Sequence, residues 1–236
     1  MIDLHCHIIF GTDDGAKELE NSINILREAY EAGFTKICCT PHYIVPQYVK
    51  TKSENLEKLN IIKEKLKEEN IDIELYLGNE IYVTNNMKEL IEEGRVSTLS
   101  DTKYVLVELP LTQKIIDAED MIENLTFEGY TVILAHPERY IYVQKDLKYL
   151  DKFIEMGVYL QGNYESLIGK YGKGAEKTLK KLLKDKKINL MGTDTHKEKT
   201  TYTKMNKILK ILKHYAKKEY YENITINCQE NILKNM

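Results

Sequence analysis

The chain has 236 residues, 42% of them hydrophobic, and a formal net charge of −3 from 34 basic and 37 acidic side chains. That length suits one α/β barrel as well as two small domains, and it buries roughly 70% of its surface without a structural metal or disulfides. The apolar content excludes wholesale disorder, and the balanced charge argues against a nucleic-acid-coating protein and gives no sign of a polybasic membrane patch.

Only three basic residues are arginine, Arg27, Arg95 and Arg139, so the place of each is informative. The four cysteines, Cys6, Cys38, Cys39 and Cys228, form no CxxC pair, which argues against a zinc knuckle or thioredoxin-type site. The opening MIDLHCH is unlike a signal peptide, and no run approaches the ~18 apolar residues of a membrane span. A reducing cytoplasm is the expected location.

Strands are expected at 2–5, 35–40, 73–77, 103–109, 131–135, 158–162 and 188–192. Helical spacing appears between them. Leu19, Ile23, Leu26 and Tyr30 share a face over 19–32, and Leu56, Leu59, Ile62 and Leu66 share one over 54–69. Leu147, Leu150 and Ile154 suggest a helix over 145–156, and Met205, Ile208, Leu209, Leu212 and Tyr215 one over 203–216. Thr51 and Glu54 have capping-box spacing. Seven short apolar strands alternating with helices predict a parallel α/β barrel spanning 1–236 as a single domain, with an open doubly wound sheet as the alternative. No phosphate-binding glycine loop comes after any strand.

The informative residues sit at the carboxyl ends of the strands. His5 and His7 end the first, His42 lies just past the second, and Glu80 just past the third. Glu108 closes the fourth, His136 and Arg139 come after the fifth, and Asp194 and His196 after the seventh. Each is weak alone: a histidine pair in a strand is more often packing than a metal site, and Glu80 could be solvated. In a barrel all these ends converge on one face, where active sites sit. Imidazole and carboxylate donors in excess of what one tetrahedral ion uses point to two or three divalent ions of the Zn, Mn or Fe kind.

The segments MIDLHCHIIFGTDDGA, TPHY, GNEIY, VELP, AHPERY and GTDTH together resemble the polymerase-and-histidinol-phosphatase (PHP) superfamily. Within it they are most similar to the CpsB/CapC-type manganese-dependent tyrosine phosphatases of bacterial capsule systems. The resemblance implies a distorted (β/α)7 barrel with three divalent ions, manganese first and Fe or Zn as alternatives. It implies that His5, His7 and Asp194 hold one ion, and that Glu80 bridges it to a second held by Glu108 and His136. Asp14, His42 and His196 would hold the third, although Asp13 competes with Asp14 for that part. Arg139 matches a phosphate-contacting arginine. The family's further arginine after the Asp-x-His motif is absent here, and the loop offers Lys197, Lys199 and Lys204 instead.

The implied reaction is in-line hydrolysis of phosphotyrosine in a protein, the expected partner being the tyrosine-rich tail of a bacterial tyrosine kinase. Hydroxide held between the ions would attack phosphorus, with the ions and Arg139 steadying charge on the phosphoryl oxygens. No cysteine has an arginine six positions on, so a cysteine-based phosphatase is excluded. Histidinol-phosphate phosphatase, an amidohydrolase and a weakly catalytic metal-bound kinase adaptor are the competing readings. Tyr43, Tyr48 and Tyr82 could line a rim for an aromatic substrate.

Overall fold

A computed structural model of the chain describes residues 1–234. Its strands are β1 (Ile2–Asp3), β2 (Lys36–Cys39), β3 (His42–Tyr43), β4 (Glu74–Leu77), β5 (Glu80–Tyr82), β6 (Tyr104–Glu108), β7 (Thr131–Ala135), β8 (Tyr159–Asn163) and β9 (Leu190–Gly192). Every strand pairing is parallel, in the orders β1-β2-β4 and β3-β5-β6-β7-β8-β9. Seven of these strands fall at the expected positions, and β3 and β5 are two short additional strands beyond the expected second and third. Pro41 has no N–H to give a ladder, so β2 ends before it and β3 starts after it. Gly78-Asn79 likewise separates β4 from β5. Asn79 spans the gap by donating to Pro41 O (2.9 Å) and accepting from Ser97 N (2.8 Å).

The ring closes between its first and last strands. Cys6 bridges to Thr195, Asp194 N donates to His5 O (2.8 Å), and His7 N donates to Thr195 O (2.9 Å). Buried Asp3 accepts from Thr193 N at 3.1 Å, from the Thr193 hydroxyl and from the Tyr202 hydroxyl at 2.8 Å. The result is the expected distorted parallel (β/α)7 barrel.

Alternate strand residues fall into two apolar clusters, as the period of two requires. Val105, Val107, Val132, Leu134 and Met191 face the surrounding helices. Leu106, Ile133, Leu190 and Cys38 fill the barrel interior, joined by Cys228, Ile232 and Leu233 of the helix Cys228–Lys234. That last helix therefore plugs the barrel and leaves the opposite rim for polar residues.

The helix Lys52–Glu68 starts on the expected Thr51/Glu54 capping box. Two apolar positions lie off their expected faces: Tyr30 and Leu56 are 45% and 42% exposed, because Ala29 and Asn55 take the inward places. The single helix expected over 145–156 is absent. Asp146 is extended and accepts from Lys148 N, dividing the region into Ile141–Lys145, a 3-10 turn Leu147–Leu150, and Asp151–Glu155. The helix expected over 203–216 spans Met205–Tyr215 after a 3-10 turn. No helix among the described residues is long and apolar enough to cross a membrane.

Truncating the plug should be costly. Ile232→Ala is expected to lower stability by ~2–5 kcal/mol, seen as a lower urea midpoint with an unchanged slope.

Candidate metal centre

At the polar rim, each imidazole of the first-strand pair is fixed by its Nδ1. His5 Nδ1 lies 2.6 Å from Gln161 Oε1, and His7 Nδ1 lies 2.7 Å from Asp13 Oδ2. Donation from Nδ1 leaves each Nε2 as a bare lone pair, the form in which histidine binds metals. Two glycines make room for these partners. A Cβ on Gly192 would come within 2.7 Å of Gln161 Nε2, and one on Gly15 within 2.1 Å of His7 O.

The two Nε2 atoms sit 3.3 Å apart. His5 Nε2 is 3.3 Å from Glu80 Oε2 and 3.4 Å from Asp194 Oδ1, and His7 Nε2 is 3.3 Å from both. A regular tetrahedron whose corners lie ~2.0–2.1 Å from its centre has edges of about 3.3–3.4 Å, the spacing set by nitrogen and oxygen ligands of a first-row divalent ion. Glu80 Oε2 also lies 2.9 Å from His42 Nδ1, yet neither buried atom is aligned for a hydrogen bond. Nitrogen and oxygen donors converging at this spacing fit a cation.

A second group contains His42, Glu80 and Glu108, whose donor atoms lie within 4.8 Å of one another. His136 Nε2 adjoins it, 3.0 Å from Glu80 Oε1 and 3.6 Å from Glu108 Oε1. A third group gathers His7, Asp14, His42 and His196. Asp14 is half-exposed and lies 3.3 Å from His196 Nε2 and 3.7 Å from His42 Nε2. Asp13 is turned inward onto His7, Gly15 N and His42 N. All nine sequence-derived metal candidates and Arg139 thus meet at one rim. His136 and Asp194 both have left-handed backbones, φ +32° and +52°, a strain that clusters where function holds it in place.

The charges explain why such a cluster needs a cation. Burial opposes ionisation of Glu80 and Asp194, yet the surrounding imidazoles, His5 foremost, hold both well below the usual carboxylate range. Burial alone would lower His5, but Glu80 and Asp194 hold it up at about 9. Glu108 is pushed up to about 8 by burial and then by Glu80. His136 is pushed down to about 4 by burial and by Arg139. Uncompensated buried carboxylates are costly, and a divalent ion supplies what protons would otherwise supply.

Beside the cluster lies a cavity of about 410 Å³ lined by Asp14, Arg139, Lys170, Tyr171, Asp194, His196, Lys197 and Thr200. Arg139 Nη1 donates to Asp194 Oδ2 at 2.6 Å, and its guanidinium carbon lies 4.3 Å from the Tyr171 ring centre. Of the three loop lysines, Lys197 alone lines the cavity. Lys204 is paired with Glu165, and Lys199 binds Glu28 through its backbone. Of the expected aromatic rim, Tyr48 stacks on His42 with centroids 6.0 Å apart, whereas Tyr43 is buried in the core and cannot serve.

Sequence reasoning missed Gln161, Asn163 and the part played by Asp13. Asn163 Nδ2 donates to Asp194 Oδ2 at 2.8 Å. The signal was available: period two turns Leu160 toward the helices and Gln161 and Asn163 inward, where an apolar interior would not place amides.

A family model for capsular polysaccharide synthesis, CpsB/CapC, matches residues 1–234. The chain belongs to the CpsB/CapC family. It is 29% identical over 236 residues to the putative tyrosine-protein phosphatase CapC of Staphylococcus aureus, covering 100% of this chain and 89% of that one. A solved structure from work on YwqE of Bacillus subtilis and CpsB of Streptococcus pneumoniae, described as unique metal-dependent tyrosine phosphatases, superposes with a TM-score of 0.93 at 28% identity. It covers 100% of this chain and 95% of that one. Histidinol phosphate phosphatase of Lactococcus lactis shares the fold, with a TM-score of 0.59, 16% identity and 91% and 93% coverage.

Gln161→Leu, which frees His5 Nδ1 while filling similar space, is expected to weaken binding of Mn or Zn about 10–100-fold in metal titrations of stripped protein. Wild-type protein should gain several degrees of melting temperature at saturating metal, and the variant should need correspondingly more metal for the same gain.

Proposed function

We propose that this CpsB/CapC-family chain is a metal-dependent protein-tyrosine phosphatase and that residues 1–236 act as one catalytic unit. The observation that carries the reading is the four-donor cluster of His5, His7, Glu80 and Asp194 at tetrahedral spacing, directly beside the Arg139 cavity. Glu108 and His136 would complete a second ion with Glu80, and Asp14, His42 and His196 a third. Manganese is the ion proposed, on the strength of the class the motifs resemble. When bound, divalent ions polarise phosphoryl oxygens and make hydroxide available near neutral pH.

The chain's own part is set by geometry. Arg139 keeps one N–H on Asp194 and has further donors for phosphoryl oxygens, which a planar fork meets two at a time. Tyr171 and Asp194 hold its plane, so little order is lost when phosphate arrives. Lys197 supplies a second positive charge across the cavity, in place of the arginine this chain lacks. Tyrosine leaves with a pKa of about 10, so its departure needs less protonation than an alkoxide would. The proposed physiological partner is the tyrosine-rich tail of a bacterial tyrosine kinase; a disordered tail would bind weakly outside its phosphate.

The test is phosphate release from a phosphotyrosine peptide, with a phosphoserine peptide and histidinol phosphate alongside, using stripped protein reloaded with Mn, Zn or Mg. Metal-dependent turnover selective for phosphotyrosine is expected, falling ~100-fold or more in His136→Ala and Arg139→Ala. Preference for histidinol phosphate would overturn the substrate, and absence of turnover on all three would overturn the activity. Lys197→Ala should raise KM several-fold and leave kcat nearly unchanged, since it acts through phosphate capture.

A further inference from the structure

The near-neutral net charge conceals a strongly basic stretch. Residues 170–187 hold eight lysines against Glu176 and Asp185, in a chain whose total is −3. The helix Gly172–Lys184 buries Ala175, Thr178, Leu179, Leu182 and Leu183 and thereby turns its lysines outward. Lys173, Lys177, Lys180, Lys181 and Lys184, with Glu176 and Tyr215, line a groove of about 490 Å³. Glu176 is already neutralised by Lys180, and Lys181 is paired with Asp185. Among the described residues Lys173, Lys177 and Lys184 form no ion pair.

The groove begins where the catalytic cavity ends. Lys170 and Tyr171 line that cavity, Tyr171 lies against Arg139, and Lys173 opens the groove two residues later. From Lys173 to Lys184 the helix runs ~16 Å, the reach of about five extended residues. A chain whose phosphate sits at Arg139 therefore has a cationic track for its flank.

We propose that the groove along Gly172–Lys184 is an exosite for an acidic segment flanking the phosphotyrosine, so that the enzyme selects substrates by the charge beside the scissile phosphate. This rests on the phosphatase reading above and adds a substrate class to it. Opposite charge across such a surface steers encounter as well as lowering KM, so the preference should appear mainly in kcat/KM and weaken with salt.

The experiment compares kcat/KM for free phosphotyrosine and for phosphotyrosine peptides with five acidic, neutral or basic flanking residues on either side. Wild type is set against a triple variant, Lys173→Glu, Lys177→Glu and Lys181→Glu. An acidic preference of about fivefold or more at low salt is expected. It should be abolished in the variant, with free phosphotyrosine turned over equally by both. No acidic preference, or one that survives charge reversal, would overturn the exosite. If wild type hydrolyses neither free phosphotyrosine nor any of the peptides, the phosphatase reading fails by itself. Fluorescence anisotropy with an unphosphorylated acidic peptide then decides whether the groove binds it. Should the variant lose binding to phosphatidylserine vesicles while peptide selectivity stays intact, the patch is a lipid-facing surface and the proposal is wrong.

Discussion

Asp3 ties the first strand to the last, and the rest of the site depends on that junction. Its carboxylate is fully buried, forms no ion pair among the described residues, and burial raises its pKa. Donors from Thr193, Tyr202 and the His5 backbone offset that cost. The seam they close carries His5 and His7 on one side and Asp194 on the other. Donor atoms nearly 190 residues apart in the chain reach 3.3–3.4 Å only because this seam is in register. A slip of one residue would turn the histidines to the opposite face.

The electrostatics of the rim differ from those of an ordinary core. Glu80, Asp194 and Glu108 lie among five imidazoles with Arg139 as the fixed cation. Burial opposes the charged form of both Glu108, pushed up to about 8, and His136, pushed down to about 4. Left-handed backbone at His136 and Asp194 adds local strain of ~1–3 kcal/mol each. The apolar interior and the plug formed by Cys228, Ile232 and Leu233 compensate at the other end of the barrel. Stability and function are thus separated along the barrel axis, as parallel barrels allow.

The donor residues were legible in the sequence because parallel strands make a strand's end equivalent to a place on the rim. His5, His42, Glu80, Glu108, His136 and Asp194 could be placed by strand order alone. Gln161 and Asn163 were not found, since an amide in a strand has no chemical signature until its facing is known. Asp13 and Asp14 are adjacent carboxylates whose roles differ only by which one the turn around Gly15 points inward. The helix Gly172–Lys184 escaped notice because its apolar positions are diluted by lysine and preceded by two glycines. Whole-chain charge likewise averages away its basic face. The break at Asp146 is a local side-chain to backbone competition that periodicity does not register.

Arg139 connects the two halves of the site. Asp194 offers Oδ1 to His5 and His7 and Oδ2 to Arg139 and Asn163. One carboxylate therefore divides its charge between the donor cluster and the guanidinium that lines the cavity. A cation drawing on Oδ1 would weaken the hold of Asp194 on Arg139 and leave more of the guanidinium's positive field for the cavity. The coupling is reciprocal, so phosphate on Arg139 would in turn release charge on Asp194 toward the cation. Asn163 and Tyr171 keep the geometry fixed while that charge shifts, because neither carries a charge of its own to compete for it.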